Sequence, residues 1–292
     1  MAFDGIVISN LVWELSERLT DGRINKIYQP ENDAIVLTIK NNRNNYRLLL
    51  SASPSLPLAY LTEDTGTNPM VAPNFCMLLR KHISGGRIVS IVQPEMERIL
   101  KFEIEHLNEL GDLCTKFLIV ELMGKHSNII FCQPDGTIID SIKHISLNVS
   151  SVREVLPGRS YFIPNTMLKM NPLTIDADEL IEKVLSKPLP VGKALYTSLT
   201  GISPVIAAEL CHLASLDGDH SANEMSEAEC IHLHHTLSLM MEDVTEGRFC
   251  PNIVYRQEEP VEFASLPLTS FEGREYERRD FSSISQLLET YY

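Results

Sequence analysis

Near residue 165 the hydrophobic period of this chain changes, and a single kind of layer cannot absorb both halves. Ile35, Leu37 and Ile39 alternate with Val36, Thr38 and Lys40, and Leu100, Phe102 and Ile104 alternate with Lys101, Glu103 and Glu105. Period-two alternation marks strands that bury one face. Short apolar runs predict further strands at 115–121, 128–133 and 137–142, with Pro134-Asp135-Gly136 as the turn between the last two. The Asn41–Asn45 cluster turns the chain into a returning strand at Tyr46–Leu50. Leu11, Val12, Leu15 and Leu19 place a first helix from Ser9 to Leu19, stopped by Asp21-Gly22. A second runs from Pro73 to His82 and ends at Gly85-Gly86.

Beyond Pro164 the signals become helical. Asp176 with Glu179 and Ser226 with Glu229 have capping-box spacing, opening helices at Ala177–Ser186 and from Glu227 to about Val244. Ser203-Pro204 fits a cap followed by a first-turn proline, with a helix to Ala214. Gly192, Gly201 and Gly218 read as separators. Residues 251–282 look extended around Ile253-Val254-Tyr255 and Val261-Glu262-Phe263, and an amphipathic helix begins at Ser285–Tyr292. The expectation is an α+β fold: an antiparallel sheet or β-sandwich with flanking helices over 1–165 and an all-α module over 166–250. An extended segment over 251–292 would pack back on the first domain.

Composition removes several function classes. No apolar run approaches the roughly 20 residues that span a bilayer, and no basic start followed by an apolar core suggests a secretory signal. The six cysteines (76, 114, 132, 211, 230, 250) form no Cys-x-x-Cys pair, so a cytoplasmic protein with reduced thiols and without metal or cofactor is expected. His232, His234 and His235 contain no i,i+4 pair and read as solvated helical residues. Met240-Met241 reads as core, and Gly85-Gly86-Arg87 is no phosphate loop.

The net charge of −14 opposes a polyanionic partner, but it is unevenly placed. Residues 1–165 carry 16 Lys/Arg against 18 Asp/Glu, a balance of −2; residues 166–292 carry 9 against 21, a balance of −12. The first half is free to hold a local basic face.

Glu121–Ile130 sets a polar insert between two strands. Gly124 can bend the backbone, which gathers Lys125, His126, Ser127 and Asn128 at one strand junction. Simple chain reversal would need fewer kinds of polar group. Lys125 and Ser127 could contact phosphate or sugar; the alternative is a bulge whose side chains satisfy backbone groups, the role that suits Asn128. Arg80-Lys81-His82 with Arg87 forms a second cationic group. Lys81 and His82 suit a helix C-terminus, and Arg80 could face the sheet.

The insert closely resembles the NFACT-N domain of the RqcH/FbpA (NEMF) family. The resemblance continues through Met1-Ala2-Phe3-Asp4-Gly5, Gly22–Pro30, Phe75–His82 with Gly85–Ile88, Leu156–Tyr161 and Gly201-Ile202-Ser203-Pro204. It implies a ribosome-associated quality-control factor that binds tRNA and the large ribosomal subunit with its rRNA, and whose bacterial members support alanine tailing of stalled chains. The ribosome would make the peptide bond, so the domain is expected not to be an enzyme. Full-length members continue into a coiled coil and an NFACT-R domain. Some members are described as fibronectin-binding, which keeps a surface adhesin as the alternative, with possible cell-surface display. No membrane or DNA partner is implied. A more distant resemblance, to the MutM-type DNA glycosylase fold with its helix-two-turn-helix module, carries no glycosylase chemistry here. That chemistry uses an N-terminal proline amine, and Ala2-Phe3 follow Met1.

The family pairs an acidic residue near the N-terminus with a later Asp-Arg dipeptide. By position these are Asp4 and Glu97-Arg98, where Glu lengthens the carboxylate arm by one methylene. An arginine fork can read phosphate or a guanine edge. A salt bridge holding the N-terminus against the strand after Gln93 is the other reading. The resulting RNA-binding candidates are Asp4, Glu97, Arg98, Lys125, His126, Ser127 and Arg80.

Overall fold

A computed structural model describes residues 3–64, 66–164 and 168–292. They fall into two compact units, one of Leu11–Pro94 with Arg98–Pro164, the other of the described residues in 1–10, 95–97 and 165–292.

The first unit is built on a nine-stranded antiparallel sheet. Its strands are β1 (Arg23–Glu31), β2 (Ala34–Asn41), β3 (Asn44–Ala52), β4 (Pro57–Leu61), β5 (Arg87–Val92), β6 (Ile99–Leu107), β7 (Leu113–Glu121), β8 (Asn128–Cys132) and β9 (Ile138–Ser141). Their spatial order is β4-β3-β2-β1-β5-β6-β7-β8-β9. Two meanders are joined at β1–β5, where Arg23 pairs with Arg87. The alternation at 35–40 and 100–105 does what period two demands: Ile35, Leu37, Ile39, Leu100, Phe102 and Ile104 are all buried. The sheet folds over so that β3 approaches β7 and β8, giving the expected sandwich-like closure. Ile99, Ile119, Ile130, Cys132, Ile138 and Val155 form one of its cores.

The helix α1 (Gly5–Leu19) begins four residues before the expected Ser9, because Asp4 supplies acceptors for the first-turn amides. A second helix, α2 (Asn74–Ile83), buries Phe75, Cys76, Leu79 and Ile83. It lies along the part of β1 that β5 leaves unpaired, and the Cys76 thiol and Arg80 Nε both donate to the Ile27 carbonyl. Strands β1, β4 and β5 carry no clean alternation in sequence. β1 has a bulge between Ile24 and Lys26 that resets its period.

The second unit is mainly helical, with α3 (Ala177–Leu180) running into a π-turn at Ile181–Leu185, then α4 (Val191–Ser198), α5 (Pro204–Leu213), α6 (Glu227–Thr245) and α7 (Ile284–Tyr291). The Ser226/Glu229 capping box is present in full, and Asp176 and Ser203 cap their helices. Gly192, read as a separator, instead lies in the first turn of α4. Its N–H donates to the Gly218 carbonyl at 3.0 Å. A three-stranded sheet of β10 (Asn252–Arg256), β11 (Glu259–Ala264) and β12 (Tyr276–Asp280) has β10 at its centre. Asn252, fully buried, spans its loop by donating to the carbonyls of Cys250 and Leu266 and accepting from Leu268 N–H. Ile6 and Met96 pack into this unit's core beside Leu195, Leu199, Ile206, Leu237 and Val254. No helix among the described residues is long and apolar enough to cross a membrane.

Candidate nucleic-acid interface

The insert after β7 is not a bulge. Gly124–His126 form one 3-10 turn capped by Met123, in which Gly124 takes φ +59°. Such a turn leaves amides to satisfy, and its own polar residues do so. Ser127, 1% exposed, accepts the Met123 N–H on its hydroxyl at 2.8 Å. Asn128 accepts from the amides of Ile129 and Lys143 and donates to the Lys143 carbonyl. Lys143 Nζ donates to the Ser127 carbonyl at 3.1 Å and also to the Ala52 carbonyl at the end of β3. Two of the four polar side chains are therefore inside, bracing the turn, while Lys125 and His126 are left exposed to solvent.

The last residue of β7 belongs to a buried ionic group. Glu121 has no exposed surface; it accepts from Arg153 Nη2 and from the Tyr161 hydroxyl at 2.9 Å. Arg153 also donates to the Phe162 carbonyl and covers the Tyr161 ring. Burial, reinforced by the neighbouring carboxylate, pushes the Tyr161 hydroxyl far above its ordinary range, so it stays a donor. The group ties β7 to the segment 153–162 with every partner paired, which is what a buried charge requires.

Arg98 reaches the same strand end through its backbone. Its carbonyl accepts the Leu122 N–H at 2.9 Å, one step beyond the Ile99–Glu121 pair that begins the β6–β7 ladder. The structure thus brings Arg98, Lys125 and His126 to one end of β6 and β7. Arg80 is not among them. It lies by Ile27 and 5.9 Å from the Tyr28 ring, beyond the opposite end of β5.

Asp4 and Glu97 belong to the other unit. Asp4 is 5% exposed; its Oδ1 accepts the amides of Ile6 and Val7, each at 3.0 Å, and its Oδ2 accepts the Ser203 hydroxyl at 2.6 Å. Burial pushes its carboxyl up to about 6, against the downward pull of those three bonds. Sequence alone gave no sign of Ser203 as its partner, nor of the backbone strain next to Glu97. Glu95 and Met96 both adopt positive φ (42° and 62°), which non-glycine residues rarely do. The Met96 carbonyl lies where Gly5 and Gly201 have no side chain; a Cβ there would sit 2.3 Å and 2.5 Å from it. The Gly5 N–H donates to the Gly201 carbonyl at 3.0 Å, and Ser9 reaches the Met96 sulfur. Two glycines far apart in sequence thus hold the strained turn that immediately precedes Glu97.

Among the described residues no group of three His, Cys, Asp or Glu side chains could hold a metal ion.

A family model described as the NFACT N-terminal and middle domains matches residues 4–292. The Rqc2 homolog RqcH of Bacillus subtilis is 38% identical over the whole chain, and that of Streptococcus pneumoniae is 33% identical. The chain spans about half the length of these curated relatives, 49% and 48% respectively. Among solved structures, the fibrinogen binding protein from Staphylococcus aureus aligns over 100% of the chain and 99% of its own, with TM-score 0.84 and 29% identity. The N-terminal part of the fibronectin/fibrinogen-binding protein from Streptococcus suis aligns over 99% and 98%, with TM-score 0.80 and 34% identity.

Proposed function

Because this chain belongs to the NFACT family, we propose that it is the RNA- and ribosome-contacting part of a ribosome quality-control factor. It would hold tRNA on an obstructed large subunit in the cytoplasm while the ribosome itself joins alanine to the stalled chain. The domain contributes position rather than bond chemistry, so no side chain is assigned a catalytic role. One observation carries the reading: a turn braced from inside by Ser127, Asn128 and Lys143 presents Lys125 and His126 outward at the strand end that Arg98 enters. A rigid scaffold with exposed basic groups suits phosphate and base-edge contact. Glu97 and Arg98 are the proposed base- or phosphate-reading pair, and Lys125 and His126 add backbone contact. Asp4, with both carboxylate oxygens engaged, acts by positioning the N-terminus, and Ser127 by positioning the turn. Arg80 lies on a different surface, over the Tyr28 ring.

The test is recovery of tRNA and large subunits with the intact gene product. Arg98→Ala should reduce tRNA recovery roughly ten- to a hundredfold, the worth of one charge-assisted contact, in a protein whose folding is largely intact. Glu97→Asp should be tolerated and Glu97→Ala impaired. Normal tRNA recovery with a lowered melting temperature would reject the contact role of Arg98.

A second reading is favoured by the names of solved relatives, which are described as binding fibrinogen or fibronectin. Under it, the purified chain binds immobilised fibronectin and Arg98→Ala leaves that binding intact.

A further inference from the structure

We infer that the outer face of β1–β3 is a second RNA-binding surface, shaped for an unpaired segment of ribosomal RNA. Register alone arranges it. One row across the strands places Arg23, Lys40 and Asn45 side by side; the next places Lys26, Thr38 and Arg47; the next places Tyr28, Val36, Leu49 and Tyr60. Residues two apart on a strand share a face about 7 Å apart, so two basic rows run beside an aromatic and aliphatic one. The opposite face of the same strands carries Ile24, Ile27, Ile35, Leu37, Ile39, Leu48 and Leu50, all buried, which fixes the basic rows outward. Arg80 extends the surface by placing its guanidinium over Tyr28.

Glu17 and Asp21 line the same hollow as Arg23 and Lys40, yet neither forms an ion pair with a cation of this face. Acidic residues outnumber basic ones 39 to 25 in the chain. Even so, every ion pair among the described residues of this unit uses other cations, such as Arg18, Lys81, Arg87, Arg153 and Arg159. Asp21, the carboxylate closest in sequence, is taken by Arg87 at 2.6 Å. Unpaired like charges on adjacent strands repel one another, so folding gains nothing from the arrangement. A polyanion would relieve it. The neighbouring tyrosines distinguish RNA from an acidic protein: splayed bases stack on aromatic rings while cations track the phosphates. The surface is also separate from the Arg98–Lys125 end. Lys143 links the turn before β8 to Ala52, at the far end of β3 from Asn45.

The inference takes only the identity of the polymer from the proposed function, and the two can fail separately. The test uses the whole chain with the triple variant Lys26→Gln/Lys40→Gln/Arg47→Gln, and separately Tyr28→Leu. Probes are protein-free large-subunit RNA, a single-stranded oligoribonucleotide, a duplex RNA of equal length, bulk tRNA and polyglutamate. The triple variant should melt as the parent does. It should lose at least tenfold in affinity for large-subunit RNA and the single strand, with the log–log salt slope reduced by about two, and retain tRNA binding. Tyr28→Leu should narrow the preference for single strand over duplex. Unchanged binding of large-subunit RNA, equal competition by polyglutamate, or a loss confined to tRNA each overturns the inference. If Arg98→Ala alone loses tRNA while the triple variant binds normally, the proposed function stands and this surface does not.

Discussion

The Asp4 carboxylate accepts the Ser203 hydroxyl at 2.6 Å, joining residues 199 positions apart at the start of two helices. Ser203 caps α5 while Asp4 caps α1, so one buried pair serves two helix N-termini. The partial positive charge of both termini favours the anion there, yet desolvation prevails and raises the carboxyl to about 6.

That shift fixes a pH dependence. The acid is weaker in the fold than its ordinary value of 3.8, so between about pH 4 and pH 6 the folded state holds the proton that the unfolded state has lost. The contribution of Asp4 to stability is therefore greatest below pH 4 and declines as pH rises through 6, by roughly 3 kcal/mol for two units. Subtracting the urea-derived stability of Asp4→Asn from that of the parent should give a difference that falls over this window. A pH-independent difference would contradict the raised carboxyl.

Gly5→Ala and Gly201→Ala should each destabilise by several kcal/mol, since a Cβ would meet the Met96 carbonyl and, at Gly201, must also adopt φ +76°. Denaturant midpoints measure this. Gly66→Ala, at φ +52° with nothing within 4 Å, should cost only about 1 kcal/mol. Equal effects at all three positions would show that close packing at Met96 is not the cause.

Glu121→Ala should cost about 3–5 kcal/mol, because it strands Arg153 without its buried partner. Tyr161→Phe removes one hydrogen bond and should cost about 1–2 kcal/mol. If the two substitutions prove equally mild in chemical denaturation, the ionic group does not hold the segment 153–162 to β7.

All six cysteines are free thiols. Burial pushes Cys132 up to about 12 and Cys211 up to about 11, so both should resist alkylation in the native protein near pH 8. Cys114, half-buried, should label first. Mass spectrometry after timed iodoacetamide treatment reports the order; early modification of Cys132 would refute the burial argument. Reductant with chelator should leave the melting temperature unchanged.

Much of the fold follows from local chemistry. The alternation at 35–40 and 100–105 produces strands because Ile35, Leu37, Ile39, Leu100, Phe102 and Ile104 put one continuous apolar face into the core, and the Ser226/Glu229 box opens α6 because its side chains satisfy amides within one turn. The exposed placement of Lys125 and the structural use of Asn128 follow similarly from a polar insert that must satisfy its own backbone. What the sequence could not determine depends on contacts between distant segments. The bulge in β1 hid its period, and the register of β1, β2 and β3 decides which cations share a row. The burial of Ser127 depends on the 3-10 turn around Gly124. Asp4 could have paired with an arginine; that it meets Ser203 instead, and that Glu95 and Met96 are held at positive φ against Gly5 and Gly201, required three remote stretches of backbone to pack together. Local pattern encodes which face of an element is apolar, whereas strain and buried hydrogen bonding arise only when separate elements compete for the same space.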